Sequence, residues 1–422
     1  MLLPSLSSQR HSAWIGPTKN TTCGSARPTA PKPSISGWSK PRKPCTSGSL
    51  KCASVLVAAL WPLPWKPRTA PVISALLAYD FIVLFPVNPK ALKDYRGAFA
   101  VSGAKDDRTD SQLLEELVRL HRDRLQAWQP DTELTRRLGG LVLHRRHLVD
   151  QRTRFVNQLH STLKIYYPLA ERLLGKHLNL PLAAEFLARW PDLASLQKAS
   201  SQALRSFFFK HHCRSAKAIQ ERWEAITAAQ PLTLDPAIIE PARLWVLALV
   251  GMLRPLHKSL AQLDRQIQQA MDQHPDAPLF RSFPGAGPAL SPRLLVAFGT
   301  DRGRFASAQE VAQFYGLAPV VKQSGNTKTV HMRHRCPKFG RQTFHENAAC
   351  ARLPEAWAGL YYDQHRQRNQ DKHHEACRAL AYKLIRIQFA CWKHRTPYDP
   401  ARYRQALKKH ASPLHAKLEN AT

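Results

Sequence analysis

Two aspartates set three residues apart, Asp107 and Asp110, carry the clearest chemical potential in this chain. They lie in Lys105-Asp106-Asp107-Arg108-Thr109-Asp110, between an apolar run from Phe81 to Val87 and an amphipathic run that begins near Leu113. At a helix start, that spacing puts both carboxylates on one face. In a chain that attracts phosphates, such a pair suits a hard divalent cation. The same residues also suit a plain helix N-terminus, where aspartate caps free amides and complements the dipole. The stretch by itself leaves both readings open.

A second reactive group is Ser324, which precedes Gly325 in a turn surrounded by cations: Lys322, Lys328, Arg333, Arg335 and Lys338. A serine placed there can attack a phosphodiester if a neighbouring base or metal takes its proton, with the cations stabilising the developing charge. Equally, Ser324-Gly325 can be an ordinary turn whose neighbours only bind phosphate. Upstream, Phe283-Pro-Gly-Ala-Gly-Pro has the character of a helix-hairpin-helix turn. There, Gly285 and Gly287 would let backbone amides approach a phosphate at the start of the next helix.

The elements that must position these groups are mostly helical. Phe81 to Val87 reads as a buried strand ended by Asn88-Pro89, preceded by a helix over Val72 to Tyr79. Leu113, Leu114, Leu117, Leu120 and Leu125 recur at helical spacing. From Leu134 to Leu163 the same period continues among charged residues, which predicts a long exposed helix or coiled-coil arm ended by Pro168. A second long pattern runs from Ala242 to Met271, so the two can pair antiparallel within the chain or between subunits. Helices are also expected over Thr343 to Arg352 and Ala376 to Trp392, with a basic, flexible tail from His394.

Lys and Arg total 62 against 30 for Asp and Glu, a formal net charge of +32. That excess predicts a polyanionic partner, most simply nucleic acid. The eight cysteines form no CxxC pair, which argues for reduced thiols and against a structural zinc site. His211-His212-Cys213 and His373-His374 read as basic surface. No uninterrupted apolar run approaches the roughly 18 residues of a membrane span. The first 79 residues contain no acid at all, yet hold ten Lys or Arg, eleven Pro and twelve Ser. That segment reads as a disordered basic arm. Alternatively, residues 1 to about 70 are translated out of frame, upstream of a slip near Pro71. A shifted reading forces a glutamate at the junction of Trp65 and Lys66. Stop codons in that shifted frame would rule the idea out.

In this order the motifs resemble the insertion-sequence transposases of the IS110 type, which are related to the Piv and MooV DNA invertases. The resemblance is carried by Val87-Asn88-Pro89, the Lys105 to Asp110 stretch, Phe283 to Pro288, Arg304-Phe305, Gly316-Leu317-Ala318-Pro319, Gln323-Ser324-Gly325 and Ala381 to Leu384. It implies a mainly α chain with a truncated α/β, RuvC-like (RNase H-like) DEDD domain over 71–130. A helical coiled-coil arm over 131–275 and a helical transposase domain with a helix-hairpin-helix-like turn over 276–395 would follow, with a basic tail over 396–422. Asp107 and Asp110 match the family's last two metal-binding aspartates, and Ser324 its nucleophilic serine. The implied chemistry is Mg²⁺-assisted strand cleavage through a covalent serine–DNA intermediate. The implied partners are DNA (element ends and target), a guide RNA from the same element, and further copies of the chain as a dimer or tetramer. The implied location is the bacterial cytoplasm, at the nucleoid and not in a membrane. The family's first aspartate and its glutamate have no counterpart here, because no acid precedes Asp80. The alternative is a non-catalytic, basic nucleic-acid-binding protein, a repressor or chaperone.

Overall fold

A short parallel pair opens the folded part: β1, Val55–Leu60, lies beside β2, Ile82–Val87, with Val55 opposite Ile82 and Leu60 opposite Val87. The computed structural model describes residues 55–60, 76, 79, 82–99, 107–368 and 372–419. The segment expected to be disordered or out of frame therefore contributes a strand. Its physical basis is Val55-Leu-Val-Ala-Ala-Leu60, a continuous apolar run of the kind that forms a parallel strand. The expected helix over Val72 to Tyr79 falls mostly outside the described residues, where only Leu76 is helical. On the other side of β2, the Trp128 amide donates to the Leu84 carbonyl at 2.8 Å in an isolated antiparallel bridge.

After β2 the chain turns at Asn88, whose side chain caps the helix Pro89–Gly97 by accepting from the Lys90 amide, with Pro89 at the first helical position. The helix Asp107–His121 follows. Leu92, Leu113 and Leu117 pack with Val87 into a small core.

The arm is an antiparallel pair within the chain. Glu133–Tyr166 and Pro236–Asp272 pack along their lengths. Leu138 and Val142 meet Ile267 and Met271 at one end. At the other end, Leu159 and Leu163 meet Val246, Leu249 and Val250. Arg145 pairs with Asp264 between them. Five short α-helices and one 3-10 turn between Pro168 and Thr227 cap the far end around Phe186, Trp190, Phe207 and Phe208. The second arm helix begins earlier than its apolar pattern, because Asp235 caps it and Pro236 occupies its first position. By length and composition that helix could cross a membrane. Leu244, Trp245 and Met252 remain exposed on it.

The C-terminal helices surround one large core in which Phe280, Phe298, Phe344, Trp357 and Trp392 are buried. Asp131 ties the root of the arm to this core, accepting from the amide and hydroxyl of Thr300 at 2.8 and 2.7 Å. The segment beyond His394, expected as a flexible tail, is folded. It forms the helices Pro400–Lys409 and Pro413–Glu419, which bury Leu407 and Leu414 in the core. Its positive charge masked two apolar anchors. Leu407→Ala should therefore cost roughly 2–4 kcal/mol in a urea unfolding experiment, where a free tail would show no change.

Candidate functional site

Ser324 ends a two-stranded antiparallel hairpin. β3, Pro319–Ser324, pairs with β4, Thr327–Met332, so that Ser324 lies opposite Thr327 and Gly325-Asn326 form the connection. Gly325 takes φ 55°, and glycine at the first position of a two-residue connection is what a type II′ hairpin turn requires. Directly paired residues share a face and alternate along each strand. Ser324 therefore shares its face with Lys322, Thr327, Thr329 and His331, while Lys328 lies on the other face with Val321 and Val330. The hairpin is exposed along nearly all of both strands. Of the expected phosphate-binding cations, Lys322 and Lys328 therefore flank the turn from opposite faces.

The next cations behave differently. Arg333 folds back, its Nε donating to the Arg335 carbonyl and its Nη1 to the Gln313 carbonyl at 2.9 Å, so it fastens the foot of the hairpin. Lys338 opens the helix Lys338–Ala351 and is exposed, as is Arg335.

The Pro-Gly-Ala-Gly turn is built into the core. Gly285 takes φ 69°, and a β-carbon there would stand 2.5 Å from the Ala351 amide nitrogen, so helix Lys338–Ala351 fills the space a side chain would need. The Pro284 carbonyl accepts from Asn347 Nδ2, and Gln388 donates to Asn347 Oδ1 at 2.7 Å, all of it buried. Gly287 has open space around its β-carbon position. Of the two glycines, then, Gly285 serves packing. Gly287 leaves its backbone approachable. Asn347 and Gln388 carried no sequence signal beyond being polar at helical core positions.

The two aspartates part company as well. Asp107 is the first residue of its helix and is exposed, as a dipole-complementing acid would be. Asp110 is buried and accepts from Arg96 Nη1 at 2.6 Å, in an ion pair whose side chains are 11% and 10% exposed. Arg96 comes from the helix Pro89–Gly97, so the pair clamps that helix to Asp107–His121. The sequence reading missed Arg96. Its only signal was a basic residue on a short helix just upstream of the acids. Asp106 lies outside the described residues, and among the described residues no three His, Cys, Asp or Glu side chains gather to hold a metal ion. Among the described residues the donor set does not fit a four-carboxylate metal centre: one acid is spent on a buried guanidinium and the other faces solvent.

His373 is exposed, as expected of the His373-His374 surface pair, but it is also held locally. Its Nδ1 lies 2.6 Å from the Tyr362 hydroxyl, and its ring sits beside Cys377.

Comparison with known proteins defines the class. A family model described as a transposase, named for DEDD and IS110, matches residues 59–168. A second, described as the transposase IS116/IS110/IS902 family, matches residues 277–363. The uncharacterized 43.6 kDa protein of insertion element IS110 from Streptomyces coelicolor is 29% identical over 305 residues, covering 70% of this chain and 72% of its own length. The putative transposase of the IS117 mini-circle, from the same organism, is 27% identical over 327 residues, covering 76% of this chain and 78% of its own length. The pilin gene-inverting protein of Moraxella bovis is 42% identical over 77 residues, 17% of this chain and 24% of its own. These relatives place the chain among transposases and site-specific DNA recombinases. Over both matched segments the chain is similar to the IS110 family of insertion-sequence transposases.

Proposed function

We propose that this chain binds the DNA of its element and presents Ser324 as the strand-transfer nucleophile, while its carboxylate site is too incomplete to support efficient cleavage. The observation that carries this reading is the buried Arg96–Asp110 ion pair. A carboxylate held by a guanidinium in low dielectric is already neutralised, and displacing that partner leaves a buried charge uncompensated. Ser324 supplies the other half. In the reaction its Oγ bonds to phosphorus, the sugar oxygen leaves with the electron pair, and the serine proton passes to that oxygen or to water. Lys322, on the same face, is placed to offset the charge that develops on phosphate. Two chemical groups on separate parts of one chain also favour assembly into an oligomer, and the net charge leaves room for an RNA partner beside DNA. The RuvC-like character of the β1–β2 unit and the coiled-coil character of the arm belong to this same reading, supported by the parallel pair and the antiparallel helices.

The experiment is cleavage of element-end DNA in the presence of Mg²⁺ by this chain, by a version with the upstream frame corrected, and by Ser324→Ala in each. The expected result is strong cleavage only by the corrected chain, abolished by Ser324→Ala with DNA affinity retained. Efficient, Ser324-dependent cleavage by the present chain would overturn the incomplete-site reading. A corrected chain that cleaves nothing, with Ser324→Ala altering affinity alone, would favour a non-catalytic binding protein.

A further inference from the structure

Two helices of the C-terminal domain bring two arginines and two histidines together, with no acid between them among the described residues. On Lys338–Ala351, Arg341 and His345 stand four residues apart. On His373–His394, so do His374 and Arg378. Residues at that spacing share a helix face. The two helices pack against each other and are joined by the buried Gln388–Asn347 hydrogen bond. Arg341, His345 and Arg378 are half-buried, and Arg378 Nε is enclosed with no hydrogen-bond partner. The nearby carboxylates among the described residues are engaged elsewhere: Glu346 with Arg293 and Gln342, and Glu375 with Lys372. His345 registers the result. Burial, then Arg378, Arg341, His374 and His373, push its imidazole down to about 4, with no carboxylate opposing them. The two guanidinium groups are left without a carboxylate partner among the described residues, and an anion completing the site would supply the missing counter-charge.

We propose that Arg341, His345, His374 and Arg378 form a phosphate-binding cradle that grips a nucleic-acid backbone at the foot of the serine hairpin. This rests on the nucleic-acid reading above and deepens it by naming a surface. The cradle adjoins the hairpin because Arg341 Nη1 donates to the carbonyl of Arg333, the residue that follows β4, at 3.3 Å. A six-residue strand separates that foot from the turn beside Ser324, roughly 17–20 Å at about 3.3 Å per residue. In a B-form duplex the phosphates of one strand advance about 3.4 Å per nucleotide along the helix axis, so on a duplex lying along the hairpin the cradle would grip the backbone roughly five to six nucleotides from the one at the hairpin tip.

The test uses the full chain with a fluorescein-labelled DNA duplex of arbitrary sequence, and separately its single strand, titrated across a range of salt concentrations. Arg341→Gln and Arg378→Gln should each weaken binding roughly tenfold or more. Together they should reduce the steepness of log affinity against log salt by about one. The melting temperature should hold or rise as like charges are separated. If Arg378→Gln impairs folding, Arg341→Gln with His374→Gln reads the same quantity from the rim. Unchanged affinity and unchanged salt steepness in the folded variants would overturn the cradle alone. A wild-type chain that binds neither probe would sink the nucleic-acid reading with it, whereas absent cleavage would leave this result standing.

Discussion

Asp110→Ala is expected to destabilise the N-terminal part of this protein by roughly 3–5 kcal/mol, the range for removing one partner of a buried ion pair. Arg96 would be left buried beside a cavity, with its Nη1 donor unmet. Asp107→Ala should cost less than about 1 kcal/mol, because that acid is exposed and contributes only at the helix terminus. Urea unfolding followed by circular dichroism measures both. The paired change Asp110→Leu with Arg96→Leu separates charge from packing. It should recover much of the loss, since a buried pair replaced by apolar side chains is often neutral or better. Millimolar Mg²⁺ should leave the unfolding midpoint of the present chain unmoved. A clear rise in midpoint with Mg²⁺, lost in Asp110→Ala, would show that the aspartate serves a metal after all.

Gly285→Ala is expected to be nearly as costly, roughly 3–5 kcal/mol, and to act on the C-terminal domain. Two penalties combine there. The backbone sits at φ 69°, where an L side chain costs about 1–3 kcal/mol. The new β-carbon would also meet the backbone of Cys350 and Ala351 at under 3 Å, contact that only a shift of the helix relieves. Gly287→Ala, with open space at its β-carbon, should change stability by less than about 1 kcal/mol. If the turn held phosphate through both glycines, the two substitutions would weaken DNA binding alike. A large loss of stability confined to Gly285→Ala marks that glycine as a packing position, leaving Gly287 as the one whose backbone a phosphate could approach.

The contrast within each motif pair shows what sequence spacing could and could not convey. Asp107 and Asp110 stand on one helix as their spacing requires, yet one is exposed and the other is held by Arg96. The two glycines differ in the same way. Periodicity made the arm legible: leucines at helical spacing on two long stretches led to an antiparallel pair. It failed at the tail, where lysines and arginines outnumber the two leucines that anchor it. It also failed at β1, because a stretch without acids and rich in proline conceals a six-residue apolar run.

What the sequence determined by itself was local and additive: helical periods, a glycine where a tight hairpin turns, the overall charge, and the order of motifs that marks the transposase family. Those depend on neighbours along the chain. The partner of Asp110, the neighbour pressed against Gly285 and the facing of Arg341 and His345 by His374 and Arg378 were decided only in three dimensions. Each joins residues from different elements, and burial changes what each group does. A carboxylate in solvent is a prospective ligand; the same carboxylate enclosed with a guanidinium is a clamp.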